Sequence, residues 1–143
     1  SRRRGPVRVD AKRPHHFAYE GTGEHFFWNG TTTYWLLGVQ DDGRVADAVD
    51  RLAGLGVNRV RLATNALTKD GSRWFEPAVT NSEAFRFRVN PWPAARPDDP
   101  ENPGLDVTRF DVALWQRLDR LVRHADSRGV QVSVIFHLDG ADK

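Results

Sequence analysis

Cysteine is absent from these 143 residues, so the chain has neither a disulfide framework nor a thiolate metal site. Its redox compartment is therefore not legible from thiols. No run of about eighteen apolar residues occurs, so no membrane-spanning segment is visible, and no charged, apolar, small-residue leader is visible at Ser1. An excess of one charge is missing too: 21 Lys and Arg stand against 19 Asp and Glu, a formal net charge of +2. The pI near 9.4 thus reflects arginine more than a strong positive field, and no nucleic-acid partner is expected. The basic residues that do cluster (Arg2, Arg3, Arg4, Arg8, Lys12 and Arg13) read as a solvated linker or tail over 1–13. Zinc-ligand spacing is also lacking. His15 and His16 are neighbours that diverge on an extended chain and His124 falls in a helix, so no metal and no cofactor is expected.

What is present is an ordinary globular composition, 39% hydrophobic and 28% charged, at a length suited to about one compact domain. Two aromatic-rich runs, Phe17 to Glu20 and His25 to Trp28, flank Gly21, Thr22 and Gly23 and predict a small β-hairpin. Thr31 to Leu37 is β-branched and aromatic and reads as a first core strand ended by Gly38. Asp41 and Asp42 then offer N-cap chemistry to a helix with Val45, Ala48, Val49, Leu52 and Leu55 at helical spacing and Gly56 at its end. Val57 to Leu62 is a second strand. A second amphipathic helix follows Asp111, with Leu114, Leu118, Leu121, Val122 and Ala125 on one face, and stops at Gly129. Val130 to Phe136 is the third strand. Strand, helix, strand, helix, strand implies parallel crossovers in an α/β architecture.

The long connection 63–105 is rich in Pro and aromatics, among them Trp74, Phe75, Phe85, Phe87, Trp92 and Pro93. A connection well beyond about 15 residues is unusual unless it has a function or is disordered. This one leaves the carboxyl end of a strand, where α/β proteins build ligand sites.

Period-two alternation puts Val60 and Leu62 on one face of the second strand and Arg59 and Arg61 on the other. The third strand repeats the asymmetry. Val130, Val132, Val134 and Phe136 oppose Gln131, Ser133, Ile135 and His137. If the apolar faces meet the helices, Arg61 and His137 stand closest to the open carboxyl end and aim donors at one mouth. Taken singly, Arg59 and Arg61 also read as ion-paired edge residues and His137 as a satisfied strand-end histidine. Their placement on corresponding faces of neighbouring strands favours a site, because a guanidinium inside a barrel needs a carboxylate or water.

The blocks "HHFAYEGTGEHFFWNGTTTYWLLG", "LAGLGVNRVRL" and "FDVALWQRLDRLVRHADSRGVQVSVIFH", with the tryptophan-rich connection between the last two, together resemble the apiosidase-like, cellulase-related (β/α)8 glycoside hydrolases. The resemblance covers nearly all of the chain after Arg13. It implies an α/β fold: the N-terminal portion of a (β/α)8 TIM barrel, incomplete, with the hairpin closing the barrel's amino-terminal end. Residues 14–143 would hold the hairpin, three strands, two helices and the loop. It further implies a carbohydrate substrate from plant or microbial poly- or oligosaccharides. Arg61 and His137 would line the sugar subsite, and Tyr34 and Trp35 would contribute to the same pocket. Trp74 and Trp92 are candidates for stacking on sugar rings, or else for anchoring the loop. The family's two catalytic carboxylates are expected after the fourth and seventh strands, beyond residue 143. Such a pair stands roughly 5 to 9.5 Å apart across the bond. Glu76, Glu83 and Asp139 do not match those positions.

The leading expectation is therefore a segment of a glycosidase that is inactive by itself, and the alternative is a non-catalytic carbohydrate-binding or degenerate barrel fragment. A nucleotide-binding α/β domain fits poorly, since the turn after the first strand lacks a Gly-rich phosphate cradle. Three strands of an eight-stranded barrel leave two open sheet edges, so self-association through them is expected. The residues leave sugar, linkage, stereochemical outcome and localisation open; the resemblance is compatible with secretion or a cell-envelope location.

Overall fold

In the computed structural model, residues 4–64, 84–85, 90–96, 98 and 104–136 are described. Strands β1 (Val7–Val9), β2 (Phe17–Tyr19) and β3 (His25–Phe26) form an antiparallel sheet in that order. The predicted hairpin is β2 and β3, with Phe17 opposite Phe26 and Ala18 opposite His25. Its turn closes through Gly23 N–H to Tyr19 O at 2.7 Å, with Gly23 at φ +71°, a left-handed conformation that glycine adopts without a Cβ penalty. Phe26 is buried and meets Tyr19 edge-on at 5.4 Å between centroids.

The segment 1–13, expected as a linker or tail, contributes β1. Val7 pairs with Tyr19 and Val9 with Phe17. Two of its basic residues find acidic partners on the hairpin, Arg4 to Glu24 at 3.3 Å and Arg8 to Glu20 at 3.7 Å. Charge clustering alone did not distinguish a solvated arm from an edge strand whose arginines are paired across the sheet.

The main sheet is parallel, in the order β4 (Gly30–Thr32), β5 (Arg59–Ala63), β6 (Gln131–Ile135). Helices α1 (Asp42–Gly54) and α2 (Val112–Ser127) lie in the two connections. Asp41 caps α1 by accepting from the N–H groups of Gly43 and Arg44, and Asp111 caps α2 by accepting from that of Leu114, each cap contributing about 1 kcal/mol. Gly56 at φ +79° and Gly129 at φ +72° turn the chain out of the two helices, as the sequence predicts.

The first core strand is shorter than expected. β4 stops at Thr32, and a 3-10 turn over Leu36–Gly38 replaces its second half. Leu36 N–H bonds Thr33 O and Gly38 N–H bonds Trp35 O, which turns Leu37 into the core with no exposed surface. Burial of one leucine, worth about 1.5–3 kcal/mol, outweighs the β propensity of Thr33 and Tyr34. The ladder to β5 continues around the bend through Thr33 N–H to Arg61 O and Ala63 N–H to Tyr34 O.

Both helices cover the same face of the sheet. Leu37, Val45 and Leu62 pack with Leu114, Leu118 and Leu121, and beside them Val49 and Val60 pack with Ala125 and Val130. Ion pairs fasten the helices to each other. Asp42 accepts from Arg117 at 3.2 Å and Arg120 at 2.7 Å, and Asp50 accepts from Arg128 and from His124, each at 2.7 Å. Val60 and Leu62 point into this layer and Arg59 and Arg61 away from it, as alternation requires.

Candidate functional site

The helix-free face of β5 and β6 is built by register. Arg59 lies beside Gln131, and Arg61 beside Ser133 and Thr32. Arg59 is half-buried. Its Nε donates to Ser133 Oγ at 2.8 Å, and its guanidinium carbon lies 3.8 Å from the centre of the Trp28 ring. Trp28 finds room there because Gly30 has no side chain: a Cβ at Gly30 would stand 3.3 Å from Trp28 Nε1. A guanidinium held by a hydroxyl on one side and an aromatic plane on another is a rigid cation at the amino-terminal level of the sheet.

Arg61 sits one pleat nearer the carboxyl end and is exposed. Its guanidinium lies 5.8 Å from the centre of the Tyr34 ring, which the bend after β4 brings alongside. Beyond it, Thr64 is buried and its hydroxyl donates to Ile135 O at 3.3 Å, which ties the carboxyl ends of β5 and β6 together. Among the described residues the arrangement offers a cation with donors to spare beside an aromatic plane, suited to a hydroxyl-rich or carboxylate-bearing ligand.

Of the residues singled out in the sequence, Arg61 and Tyr34 are brought together. Trp35 neighbours Tyr34, with ring centroids 6.1 Å apart, but it is half-buried and packs against the core around Leu37. Trp92 is half-buried on a separate segment. Its N–H is accepted by Asn90 Oδ1, and that segment is tied to the approach of α2 by Asp111 N–H to Pro91 O and Asp106 N–H to Pro93 O. Asp106 is held below the usual carboxylate range by the Thr108 hydroxyl and N–H, then by Arg109, and so stays an acceptor that fixes this turn. His137, Trp74, Glu76, Glu83 and Asp139 lie outside the described residues. Among the described residues, no group of three or more His, Asp or Glu side chains is arranged to hold a metal ion.

Sequence reasoning missed the Trp28–Arg59–Ser133 contact, because Trp28 was legible only as the end of a hairpin. It also missed Asn58, whose side chain donates to Phe27 O and accepts from Asn29 N–H, tying the hairpin to the start of β5. An asparagine two residues after a helix-terminating glycine was the available signal. A cleft of about 610 Å³ opens beside the amino end of β6, lined by Arg4, Tyr19, Val122, Arg128 and Gln131 among others. It lies away from Arg61 and Tyr34.

No protein-family profile and no curated protein matches the chain. Solved structures do match. A candidate glycoside hydrolase from Bacteroides vulgatus is 22% identical with a TM-score of 0.64, the match covering 93% of this chain and 24% of that one. A second glycoside hydrolase gives 16% identity and a TM-score of 0.57, covering 92% of this chain and 25% of its own. A family 5 glycoside hydrolase from Bacteroides vulgatus gives 18% and 0.55, covering 92% and 24%. At these identities the likeness is one of fold. The chain is a mixed α/β unit with the fold of a portion of glycoside hydrolases, and it spans about a quarter of their length.

Proposed function

We propose that this chain is the N-terminal part of an apiosidase-like (β/α)8 glycoside hydrolase and supplies sugar-subsite residues to its carboxyl-end mouth. The observation that carries the reading is the pairing of Arg61 with Tyr34 on the helix-free face of a parallel sheet whose fold glycoside hydrolases share. A barrel encloses that face, and βα-loops at its carboxyl end make the active site. Arg61 then orients sugar hydroxyls or a catalytic carboxylate through its planar fork of donors, and Tyr34 offers an aromatic face to pyranose C–H groups. His137, which the family resemblance assigns to the same subsite, joins Arg61 there. Trp35 and Trp92 border it.

Arg59 serves the same pocket from below. Held by Trp28 and Ser133, it fills the amino-terminal layer of the interior with a satisfied cation, so the hairpin acts as a floor. The catalytic carboxylates come from later βα units, one as general acid and the other as nucleophile or base. Substrates are plant or microbial poly- or oligosaccharides.

Assay of the full-length native gene product for release of reducing ends from a panel of such polysaccharides tests the reading. Hydrolysis by the full-length product and none by residues 1–143 is the expected pair of results. Absence of any hydrolysis, together with oligosaccharide binding by the 143-residue chain that quenches tryptophan fluorescence, would replace it with a binding role.

A further inference from the structure

We propose that His16 and His25 form a two-histidine chelate for a borderline-soft divalent cation, Zn²⁺ or Cu²⁺, on the amino-terminal sheet. His16 ends the loop between β1 and β2, where its N–H bonds Arg13 O and its carbonyl accepts from Asp10 N–H, both at 2.8 Å. His25 opens β3 opposite Ala18. The loop and the strand thus present the two imidazoles from backbone that is already hydrogen-bonded, and both rings are exposed.

The geometry fits a chelate as well as a hydrogen bond between the two rings. His25 Nε2 stands 3.2 Å from His16 Nδ1, and the ring planes meet at 67° with centroids 5.1 Å apart. A separation of 3.2 Å is at the long limit of a hydrogen bond donated by nitrogen. Two imidazole nitrogens each about 2.05 Å from one ion stand about 2.9 Å apart at a right angle and about 3.3 Å apart at a tetrahedral angle. The observed separation falls between these values, so one ion can reach both nitrogens once the rings turn to aim their lone pairs at it. Water would complete the coordination. Imidazole suits Zn²⁺ and Cu²⁺, and Cu²⁺ binds more tightly by the general order of divalent affinities.

A bound ion would cross-link the β1–β2 loop to β3 and stabilise the sheet that underlies the barrel. The site shares no residue with Arg61 and Tyr34, so it stands or falls independently of the sugar-binding reading.

The test is calorimetric titration of the folded protein with ZnCl2 and then CuCl2 at pH 7.5, on the wild type and on His16→Ala, His25→Ala and His124→Ala. One site is expected, tighter for Cu²⁺ than for Zn²⁺, weakened at least tenfold in the first two variants and unchanged in the third. Both rings are exposed, so the alanine variants keep the fold, which circular dichroism verifies. Absence of binding below millimolar ion, or binding that either His16→Ala or His25→Ala leaves intact, overturns the proposal.

Discussion

The guanidinium of Arg59 lies 3.8 Å over the ring of Trp28, which joins the amino-terminal antiparallel sheet to the inner face of the parallel sheet. Trp28 lies two residues past the end of β3 and Arg59 opens β5, so this contact and Asn58 together dock the hairpin on the fold. Arg59→Ala and Trp28→Ala should each lower stability by about 1–2 kcal/mol, and the double variant by less than their sum. Urea unfolding of the four proteins gives the coupling directly. Strict additivity would show that the stack contributes nothing.

Leu37 owes its burial to the 3-10 turn that cuts the first core strand short. Leu37→Ala should cost about 2–5 kcal/mol, the range for emptying a fully buried leucine site. A loss below about 1 kcal/mol in urea unfolding would mean that Thr33 to Leu37 runs on as strand.

Stability should fall in acid through Asp50. Hydrogen bonds from the Arg128 guanidinium and then from His124 hold its carboxyl below the ordinary carboxylate value, whereas the unfolded chain titrates near that value. The folded state therefore binds the proton less readily. The extra stability is fully present above the unfolded carboxylate pKa and is lost as pH falls through the lower folded one. Asp50→Asn should flatten the thermal-stability profile below about pH 4 relative to wild type. An unchanged acid limb would assign that loss to other carboxylates.

The outer edges of β4 and β6 carry no further strand among the described residues, and the 143-residue chain should associate through them. Sedimentation velocity across a concentration series checks this. A monomer at all concentrations that also melts reversibly and cooperatively would contradict it.

Much of this fold was legible in the sequence because it rests on local chemistry. The Asp41 and Asp111 caps, the glycines at 56 and 129, and the apolar spacing of both helices each point to one outcome and are observed, except that Leu55 and Val122, expected on the apolar faces, are exposed. The alternation of Arg59, Val60, Arg61 and Leu62 likewise fixed which face meets the helices. Misread elements were those decided by contacts distant in sequence. β1 exists because Val7 and Val9 meet the hairpin, and β4 ends early because Leu37 reaches a core supplied by residues 45 to 121. At the site, Arg61 stands beside Tyr34, Trp35 packs against the core around Leu37, and the docking of Trp28 on Arg59 had no local signature in the sequence.

Arg61 carries the central claim, and its most direct test is steady-state hydrolysis of an oligosaccharide substrate by the full-length gene product and its Arg61→Ala variant, with thermal melts of both. The account predicts a loss of roughly a hundredfold in kcat/KM, with a melting temperature close to wild type because the side chain is exposed. Equal turnover by the two proteins would contradict it.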